Sequence, residues 1–193
     1  MIVYCATTNA GKIREFQKVV GPALAIELLP SLATIPPPEE TGSSFEENAV
    51  QKAMAYGAHA EGLLFAEDSG LEVNALGGEP GIFSARYSGQ DATDESNNRL
   101  VLERLGSNPL RTARFVCAIA LVRGGELIGS FRGEVEGEIL LAPRGSNGFG
   151  YDPLFWYPPF QCTFGEVTLE RKQEVSHRGK ALRQMVGFLL RTS

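Results

Sequence analysis

The sequence predicts an α/β protein, because short β-type runs alternate with helical patterns along the chain. Residues 2–6 form an apolar run, and a polar turn then leads into Ile13, Phe16 and Val20 at helical spacing. Residues 25–29 resemble a second strand. The 193 residues, 43% hydrophobic and 21% charged, suit one globular domain or two intimate lobes with ample core.

The first polar turn is a candidate phosphate loop. Thr7-Thr8-Asn9-Ala10-Gly11-Lys12 stands between the first strand and its helix. A helix N-terminus offers free N–H groups and partial positive charge, which suit phosphate, and Lys12 adds a full charge. The spacing differs from that of a Walker loop. Thr and Asn at this place also cap helices, so a purely structural interpretation stays open.

A second helix begins near residue 44, where Ser43 with Glu46, or Ser44 with Glu47, can form a capping box. Its apolar stripe comprises Phe45, Ala49, Ala53, Tyr56 and Ala60. Asn48 and Lys52 are four residues apart and share a face beside that stripe. Lys52 is either a functional cation or a solvated helix lysine, and Glu40 before the helix is either a ligand or a surface acid.

The most informative stretch is Phe65-Ala66-Glu67-Asp68-Ser69-Gly70-Leu71, where polar residues interrupt an apolar run. We expect a strand that ends at this break, with a turn at Ser69-Gly70. Because side chains alternate along a strand, Glu67 and Asp68 point in different directions. One carboxylate can therefore face a cleft while its neighbour is structural. A turn with two solvated acids is the alternative.

The middle of the chain predicts a functional or mobile glycine-rich loop at residues 75–89. A helix capped by Thr93 follows at residues 93–105. Residues 113–122 and 126–138 are β runs joined by Arg123-Gly124-Gly125, a hairpin signal. The first of these runs is apolar nearly throughout, which indicates a central strand.

Near the C-terminus, residues 144–153 alternate glycine with polar and aromatic residues. This loop either places N–H groups and an aromatic face against a flat ligand or is a connection with buried aromatics. A short charged segment follows at residues 168–174. The closing helix buries Leu182, Met185, Val186 and Leu189. His177 and Arg178 at its start, with Lys172 just before, suggest an anionic or carbonyl-rich ligand, although a lone histidine is often structural.

Charge and cysteine content narrow the function classes. The net charge of −5 argues against a broad nucleic-acid-binding surface. Cys5, Cys117 and Cys162 are widely spaced and odd in number, which is typical of a reduced cytoplasmic protein and of neither a disulfide framework nor a zinc site. We expect no signal peptide and no membrane span, since no apolar run approaches about 18 residues.

The polar breaks together supply acids and cations. Carboxylates at Glu40, Glu67 and Asp68 suit Mg²⁺ or Mn²⁺, and cations at Lys12, Lys52, Lys172 and Arg178 suit a polyphosphate. With an aromatic platform for a base, this set indicates a nucleotide phosphohydrolase. A nucleotide-binding module without turnover is the alternative, and it has no need of acids that activate water.

Seven ordered motifs resemble the inosine triphosphate pyrophosphatase family of the Ham1 type over essentially the whole chain. They are Thr7-Thr8-Asn9-Ala10-Gly11-Lys12, Glu40-Thr41-Gly42, residues 45–49 with Lys52, Glu67-Asp68-Ser69-Gly70-Leu71, residues 76–87, Gly148-Phe149-Gly150-Tyr151-Asp152-Pro153, and residues 176–182. Two departures are minor: Glu67 stands where many members have Asp, and Gly165 where Ala is common.

The resemblance implies one α/β domain over residues 1–193, with a long mixed central sheet flanked by helices. It implies two lobes with the active-site cleft between them, a homodimer and a cytoplasmic location. The implied reaction is Mg²⁺-dependent hydrolysis of ITP, dITP and XTP to the monophosphate and pyrophosphate. A house-cleaning pyrophosphatase for dUTP or modified pyrimidines is the runner-up.

The family's roles fall on matching positions of this chain. The resemblance implies that Asp68 is the catalytic acid and, with Glu40, a metal ligand, while Glu67 supports them. The implied substrate-binding residues are Thr7, Thr8, Asn9, Ala10, Gly11, Lys12, Lys52, Ser69, Phe149, Gly150, Tyr151, Asp152, Lys172, His177 and Arg178. Of these, the residues from Phe149 onward match the base pocket, where a donor such as His177 or Arg178 would face the 6-carbonyl oxygen.

Overall fold

The computed structural model describes residues 1–19, 24–30 and 32–192. Within these ranges the strands are β1 (Ile2–Cys5), β2 (Ala25–Leu28), β3 (Leu63–Val73), β4 (Thr112–Arg123), β5 (Glu126–Ile139), β6 (Phe155–Tyr157) and β7 (Cys162–Thr163). The α-helices are α1 (Ala10–Val19), α2 (Phe45–Gly57), α3 (Asp94–Leu105), α4 (Leu169–Val175) and α5 (His177–Arg191). The described strands form one seven-stranded sheet in the order β2-β1-β3-β4-β5-β6-β7.

The sheet is mixed, as expected. Strand β1 is parallel to both β2 and β3, and Val3 pairs with Ile26 on one side and Leu63 on the other. Strands β5, β6 and β7 are antiparallel neighbours. The parallel strands are separated in sequence by α1 and α2, because parallel neighbours need a crossover connection.

The predicted hairpin joins β4 and β5. Gly124 and Gly125 have φ values of +58° and +78°, as a two-residue type I′ turn requires. Strand β4 is fourth of the seven strands in the described sheet, and its residues from Val116 to Val122 are fully buried. The prediction of a central strand is therefore confirmed.

The chain divides into two compact units. The first contains the described residues of Met1–Asp68, Cys117–Gly133 and His177–Ser193. Its core includes Phe16 and Phe65, whose rings meet edge to face at 5.1 Å. From α5, this core also contains Leu182 and Met185, two of the residues predicted to be buried.

The second unit contains Ser69–Val116 and Glu134–Ser176. Three aromatic rings form the centre of its core. Phe155 lies 4.5 Å from Phe115 and 5.0 Å from Phe164, measured between ring centroids. Both ring pairs are tilted, and aromatic pairs at such distances stabilise a core beyond the area they bury.

The boundaries of α2, α3, β4 and β5 agree with the predictions to within a few residues, whereas the charged segment at residues 168–174 forms helix α4, which was not predicted. Helix α2 begins after Ser44, whose hydroxyl accepts from the Glu47 N–H, so one half of the second predicted capping box is present. The Glu47 carboxylate accepts from the Ser43 N–H. Thr93 caps α3 as predicted. Residues 75–89 include a 3-10 helix at Gly81–Arg86. The short strands β6 and β7 were missed by the sequence patterns, and Val20 lies outside the described residues.

All three cysteines are free thiols, and Cys5 and Cys117 are buried, as expected.

Among the described residues, no helix is both long enough and apolar enough to cross a lipid bilayer.

Candidate active site

The strand that carries Glu67 and Asp68 does not end at these residues. Strand β3 continues without interruption from Leu63 to Val73, so the expected turn at Ser69-Gly70 was wrong. Gly70 serves a close approach instead, because a Cβ atom there would lie 2.3 Å from the Ser84 Oγ. That hydroxyl also accepts a hydrogen bond from the Leu71 N–H at 2.9 Å.

Asp68 lies against one face of α2 in the first unit. Lys52 Nζ lies 2.8 Å from Asp68 Oδ1, and Asn48 Nδ2 donates to Asp68 Oδ2 at 3.3 Å. The same ammonium lies 3.1 Å from Glu40 Oε1. Asn48 and Lys52 therefore share a face, as their spacing predicted. The structure brings Glu40, Lys52 and Asp68 together as one cluster, which we call the acid cluster.

Burial and charge shift the titration of this cluster. Burial raises the pKa of Asp68 above its ordinary value despite the nearby Lys52 ammonium. Burial opposes ionisation of Lys52, but the carboxylates of Asp68, Glu67 and Glu40 outweigh it, so the pKa of Lys52 is also raised. A carboxylate with a raised pKa is better suited to accept a proton from water than an ordinary aspartate.

Glu67 points to a different set of partners, as strand alternation predicted. It pairs with Lys12 at the start of α1, and Arg178 Nε lies 3.6 Å from Glu67 Oε2. Cys117 Sγ donates to Glu67 Oε2 at 3.4 Å. Burial opposes ionisation of Glu67, but the positive charges of Lys12 and Arg178 prevail and hold its pKa well below the usual range.

A second buried carboxylate, Glu15, pairs with the Arg178 guanidinium. Both side chains are nearly fully buried. Glu15 was missed at the sequence level, because nothing in a one-dimensional pattern separates it from an exposed helix acid. Its partner lies 163 residues away in the chain, and only the fold brings the two together.

The predicted phosphate loop is a helix cap in this structure. Asn9 Oδ1 accepts from the N–H groups of Gly11 at 2.9 Å and Lys12 at 3.1 Å, and Thr7 Oγ1 accepts from the Asn9 N–H. Thr8 and Ala10 are exposed. The loop therefore has a structural role, and phosphate binding by these residues stays a prediction.

The second unit holds the predicted aromatic loop. Lys172 Nζ lies 2.5 Å from Asp152 Oδ2, and both side chains are almost completely buried. Asp152 Oδ2 also accepts from the Phe149 N–H at 3.0 Å. The Lys172 ammonium lies 5.2 Å from the centroid of the Phe149 ring, within cation–π range. Phe149, Asp152 and Lys172 thus form a connected group.

A cavity of about 280 Å³ lies beside this group in the second unit. Its volume is near the lower end of ligand pockets, which suits one flat ring system better than a whole nucleotide. The lining combines apolar side chains with polar groups and Lys172, and comprises Asn147, Gly148, Phe164, Val167, Thr168, Leu169 and Lys172.

The remaining predicted residues are divided between the two units. Ser69 begins the second unit and is half-buried, whereas His177 is buried in the first turn of α5 in the first unit. Tyr151 is buried, and its hydroxyl donates to the Ser84 carbonyl at 2.8 Å. Of the residues predicted for the base pocket, His177 and Arg178 belong to the first unit, whereas Phe149 to Asp152 and Lys172 belong to the second; their role in base binding stays a prediction.

Two carboxylates around one cation also fit a divalent metal. Glu40 and Asp68 both contact the Lys52 ammonium, so their oxygens already converge on a positive charge. The described residues contain no group of three or more His, Cys, Asp or Glu side chains arranged to hold a metal. A magnesium ion typically takes one or two protein carboxylates and completes its shell with waters and substrate phosphates, so the acid cluster fits this ion.

Comparisons with known proteins agree with this architecture. The Ham1 family model matches residues 3–188. A dITP/XTP pyrophosphatase from Exiguobacterium sibiricum is 47% identical over 196 residues, covering 98% of this chain and 97% of the relative. One from Acidobacterium capsulatum is 46% identical over 200 residues, covering 98% of both chains. The structure of the Staphylococcus aureus Ham1 protein superposes with a TM-score of 0.89 at 40% identity, covering 100% of both chains. The chain therefore belongs to the Ham1 family.

Proposed function

We propose that this protein is a nucleoside triphosphate pyrophosphatase that hydrolyses non-standard purine nucleotides, namely dITP, XTP and ITP, to the monophosphate and pyrophosphate. Such an activity removes damaged purines from the nucleotide pool. The observation that carries the proposal is the acid cluster, in which the Asp68 carboxylate, with its raised pKa, lies 2.8 Å from the Lys52 ammonium. Relatives named dITP/XTP pyrophosphatase at up to 48% identity support it.

Asp68 is the general base in this proposal. Its carboxylate accepts a proton from a water molecule, whose oxygen attacks the α-phosphorus as the bond to the bridging oxygen of pyrophosphate breaks. The pyrophosphate leaves with the electron pair of that bond. Asn48 and Lys52 hold the Asp68 carboxylate from α2, so the base is oriented before substrate binds.

Cations of the first unit stabilise the charge that develops on the leaving group. Lys12 and Lys52 are both in ion pairs with buried or partly buried carboxylates, so their ammonium groups are ordered in advance. Preorganised positive groups of this kind supply much of the electrostatic stabilisation in phosphoryl-group chemistry.

We propose Mg²⁺ as the cofactor, held by Glu40 and Asp68, with Mn²⁺ as a substitute. When bound, such an ion polarises phosphate oxygens and makes a coordinated water more acidic. Glu67 pairs instead with Lys12 and lies near Arg178, which compensate its charge. Glu67 therefore supports the acid cluster indirectly and is not proposed as a metal ligand.

Base selection rests on donors that face the 6-carbonyl group. Hypoxanthine and xanthine present a 6-carbonyl acceptor and an N1–H donor, whereas adenine reverses both. Lys172 and Phe149, beside the cavity of the second unit, supply a cation and an aromatic face, and we propose His177 and Arg178 as further donors. A site built for one hydrogen-bonding pattern can reject the reversed pattern by about 10⁴-fold.

The proposal is tested by measuring pyrophosphate release from dITP, XTP, ITP, GTP, ATP and dUTP at equal low concentration, with Mg²⁺ or with EDTA. We expect metal-dependent release that is much faster for dITP, XTP and ITP than for ATP. Guanine shares the 6-carbonyl and N1–H groups, so slower release from GTP would show that its 2-amino group is also rejected. Release from dUTP alone would keep the chemistry and overturn the purine assignment. No release from any nucleotide would indicate a binding module.

The catalytic assignment is tested by Asp68→Asn, which preserves shape but removes the base. We expect kcat to fall by at least about 10³-fold, within the range seen when a catalytic group is removed, with XTP binding retained. Asp91→Asn is the matched control, because Asp91 is exposed. Equal kcat for Asp68→Asn and wild type would remove Asp68 from the chemistry.

We further propose a cytoplasmic homodimer that acts on free nucleotides and not on nucleic acid. The free buried thiols of Cys5 and Cys117 suit a reducing compartment, and the net charge of −5 disfavours polyanion binding. Sedimentation equilibrium tests the oligomeric state, and a monomer at micromolar concentration would overturn it.

A further inference from the structure

Helix α3 holds both backbone polar groups of Gly150. The Asp94 Oδ2 accepts from the Gly150 N–H at 2.6 Å, and Asn98 Nδ2 donates to the Gly150 carbonyl at 2.9 Å. Asp94 and Asn98 are four residues apart, so they lie on the same face of the helix. Two side chains of one helix thus grip a single loop residue, and we call this arrangement the α3 clamp.

These contacts restrain Gly150, because glycine by itself can adopt many backbone conformations. Its φ is +62°, in the left-handed region that glycine adopts at no steric cost. The neighbouring Gly148 also has a positive φ, of +76°. An aromatic residue between two glycines has a backbone with many accessible conformations, and fixing it in one conformation requires external contacts.

The residue between these glycines is Phe149, which belongs to the proposed base pocket. Its N–H donates to Asp152 Oδ2, which also pairs with Lys172. On the other side of the loop, the Tyr151 hydroxyl donates to the Ser84 carbonyl at 2.8 Å. The loop is therefore fixed at consecutive residues, and the α3 clamp supplies the contacts at Gly150.

We propose that Asp94 and Asn98 are positioning residues for base recognition, because they hold the Phe149 ring in the orientation that a purine base meets. They act through Gly150 and not on the reacting phosphorus. This inference rests on the proposed function, since it assigns a role in reading the base of the same substrate. Preorganisation of the aromatic face reduces the ordering cost of binding, and it favours the base that the fixed pocket fits.

The two members of the clamp differ in burial, which predicts their rank. Asn98 is 9% exposed, whereas Asp94 is exposed. Water can replace the Asp94 contact more readily than the Asn98 contact, and loss of a buried partner leaves a desolvated group unpaired. Changes at Asn98 are therefore expected to have the larger effect.

The test uses matched variants. Asn98→Asp keeps the side-chain shape but replaces the donor with a carboxylate oxygen facing the Gly150 carbonyl. Asp94→Ala removes the acceptor, and Asp94→Asn restores an acceptor oxygen at the same place. Glu95→Ala is the control, because Glu95 is also an exposed acid in the first turn of α3 and has the same favourable relation to the helix dipole.

The readout is the ratio of kcat/KM for XTP to that for ATP. We expect this ratio to fall about tenfold or more in Asn98→Asp and about threefold in Asp94→Ala, as for loss of single hydrogen bonds. It should stay within about twofold of wild type in Asp94→Asn and Glu95→Ala, where the Gly150 contacts are kept. A merely structural role would lower both kcat/KM values equally, and an unchanged ratio would overturn the proposal.

Equilibrium titrations separate this inference from the proposed function. Asn98→Asp should weaken binding of xanthosine monophosphate about tenfold and leave binding of inorganic pyrophosphate, which has no base, unchanged. If wild type binds xanthosine monophosphate about tenfold more tightly than Asn98→Asp does but releases no pyrophosphate from XTP, the proposed hydrolysis fails while the α3 clamp stands. Equal weakening of both ligands overturns the clamp. Should Asn98→Asp not fold, the Asp94→Ala and Asp94→Asn pair decides the question.

Discussion

Replacing Lys172 with methionine should destabilise the protein strongly. The Lys172 ammonium lies 2.5 Å from Asp152 Oδ2, and the two side chains are only 3% and 2% exposed. Methionine retains an unbranched stem that can pack against Phe164, so the change removes the charge and little volume. The Asp152 carboxylate then stays buried without its ammonium partner.

The size of the expected stability loss follows from the burial of this ion pair. Removing one partner of a buried ion pair costs about 3–5 kcal/mol, far more than at an exposed pair. For a protein of this size, each kcal/mol corresponds to about 2–4 °C in Tm, so Lys172→Met should lower Tm by about 6–20 °C. Urea denaturation should show the same loss as a lower midpoint at an unchanged slope.

A second substitution tests the reasoning itself. If the cost arises from a buried uncompensated carboxylate, Asp152→Asn in the Lys172→Met background should recover about half of the lost stability or more, because it removes that charge. A loss below about 1 kcal/mol for the single variant would place this pair with ordinary surface pairs. A double variant no more stable than Lys172→Met would also refute the argument.

Three further outcomes follow from the site. The pKa of Glu67 is lowered because the charges of Lys12 and its neighbours outweigh burial, so its ionisation stabilises the fold above the ordinary value of 4.5, and this contribution is lost as pH falls below that value. The free energy of unfolding, measured in EDTA between about pH 6 and pH 3, should therefore fall more steeply for wild type than for Glu67→Gln. Parallel curves for the two proteins would contradict the lowered pKa of Glu67. Gly70→Ala should cost about 1–3 kcal/mol, since its Cβ would lie 2.3 Å from the Ser84 Oγ; a denaturation midpoint equal to wild type would show that β3 yields at no cost. Arg178→Lys keeps a positive charge but loses the planar fork of donors, so the ratio of kcat/KM for XTP to that for ATP should decrease. An unchanged ratio would exclude Arg178 from recognition of the base.

Local periodicity accounts for what the sequence predicted well. The four-residue spacing of Asn48 and Lys52 put both on one helix face, and both contact Asp68. Strand alternation correctly separated the surroundings of Glu67 from those of Asp68. These inferences hold because helix and strand geometry fix side-chain directions over a few residues.

The failures came where a local signal has two physical causes. Ser69-Gly70 indicated a turn, but Gly70 is required by the close approach of Ser84, and β3 continues through it. Glycine is suited to both situations, because it lacks a Cβ atom. Only the neighbouring segment decides which cause applies, and that segment is distant in sequence, since Ser84 lies 13 residues beyond Leu71.

By itself, the sequence determined the α/β character, the main helices and strands, the hairpin at Gly124-Gly125 and the family resemblance. Each of these depends on short-range patterns or on ordered motifs. The tertiary structure alone decided that Glu15 pairs with Arg178 across 163 residues and that Asn98 reaches the Gly150 carbonyl across 52 residues. Such pairs depend on packing between distant segments, and a buried charge or amide in a helix has the same one-dimensional signature as an exposed one.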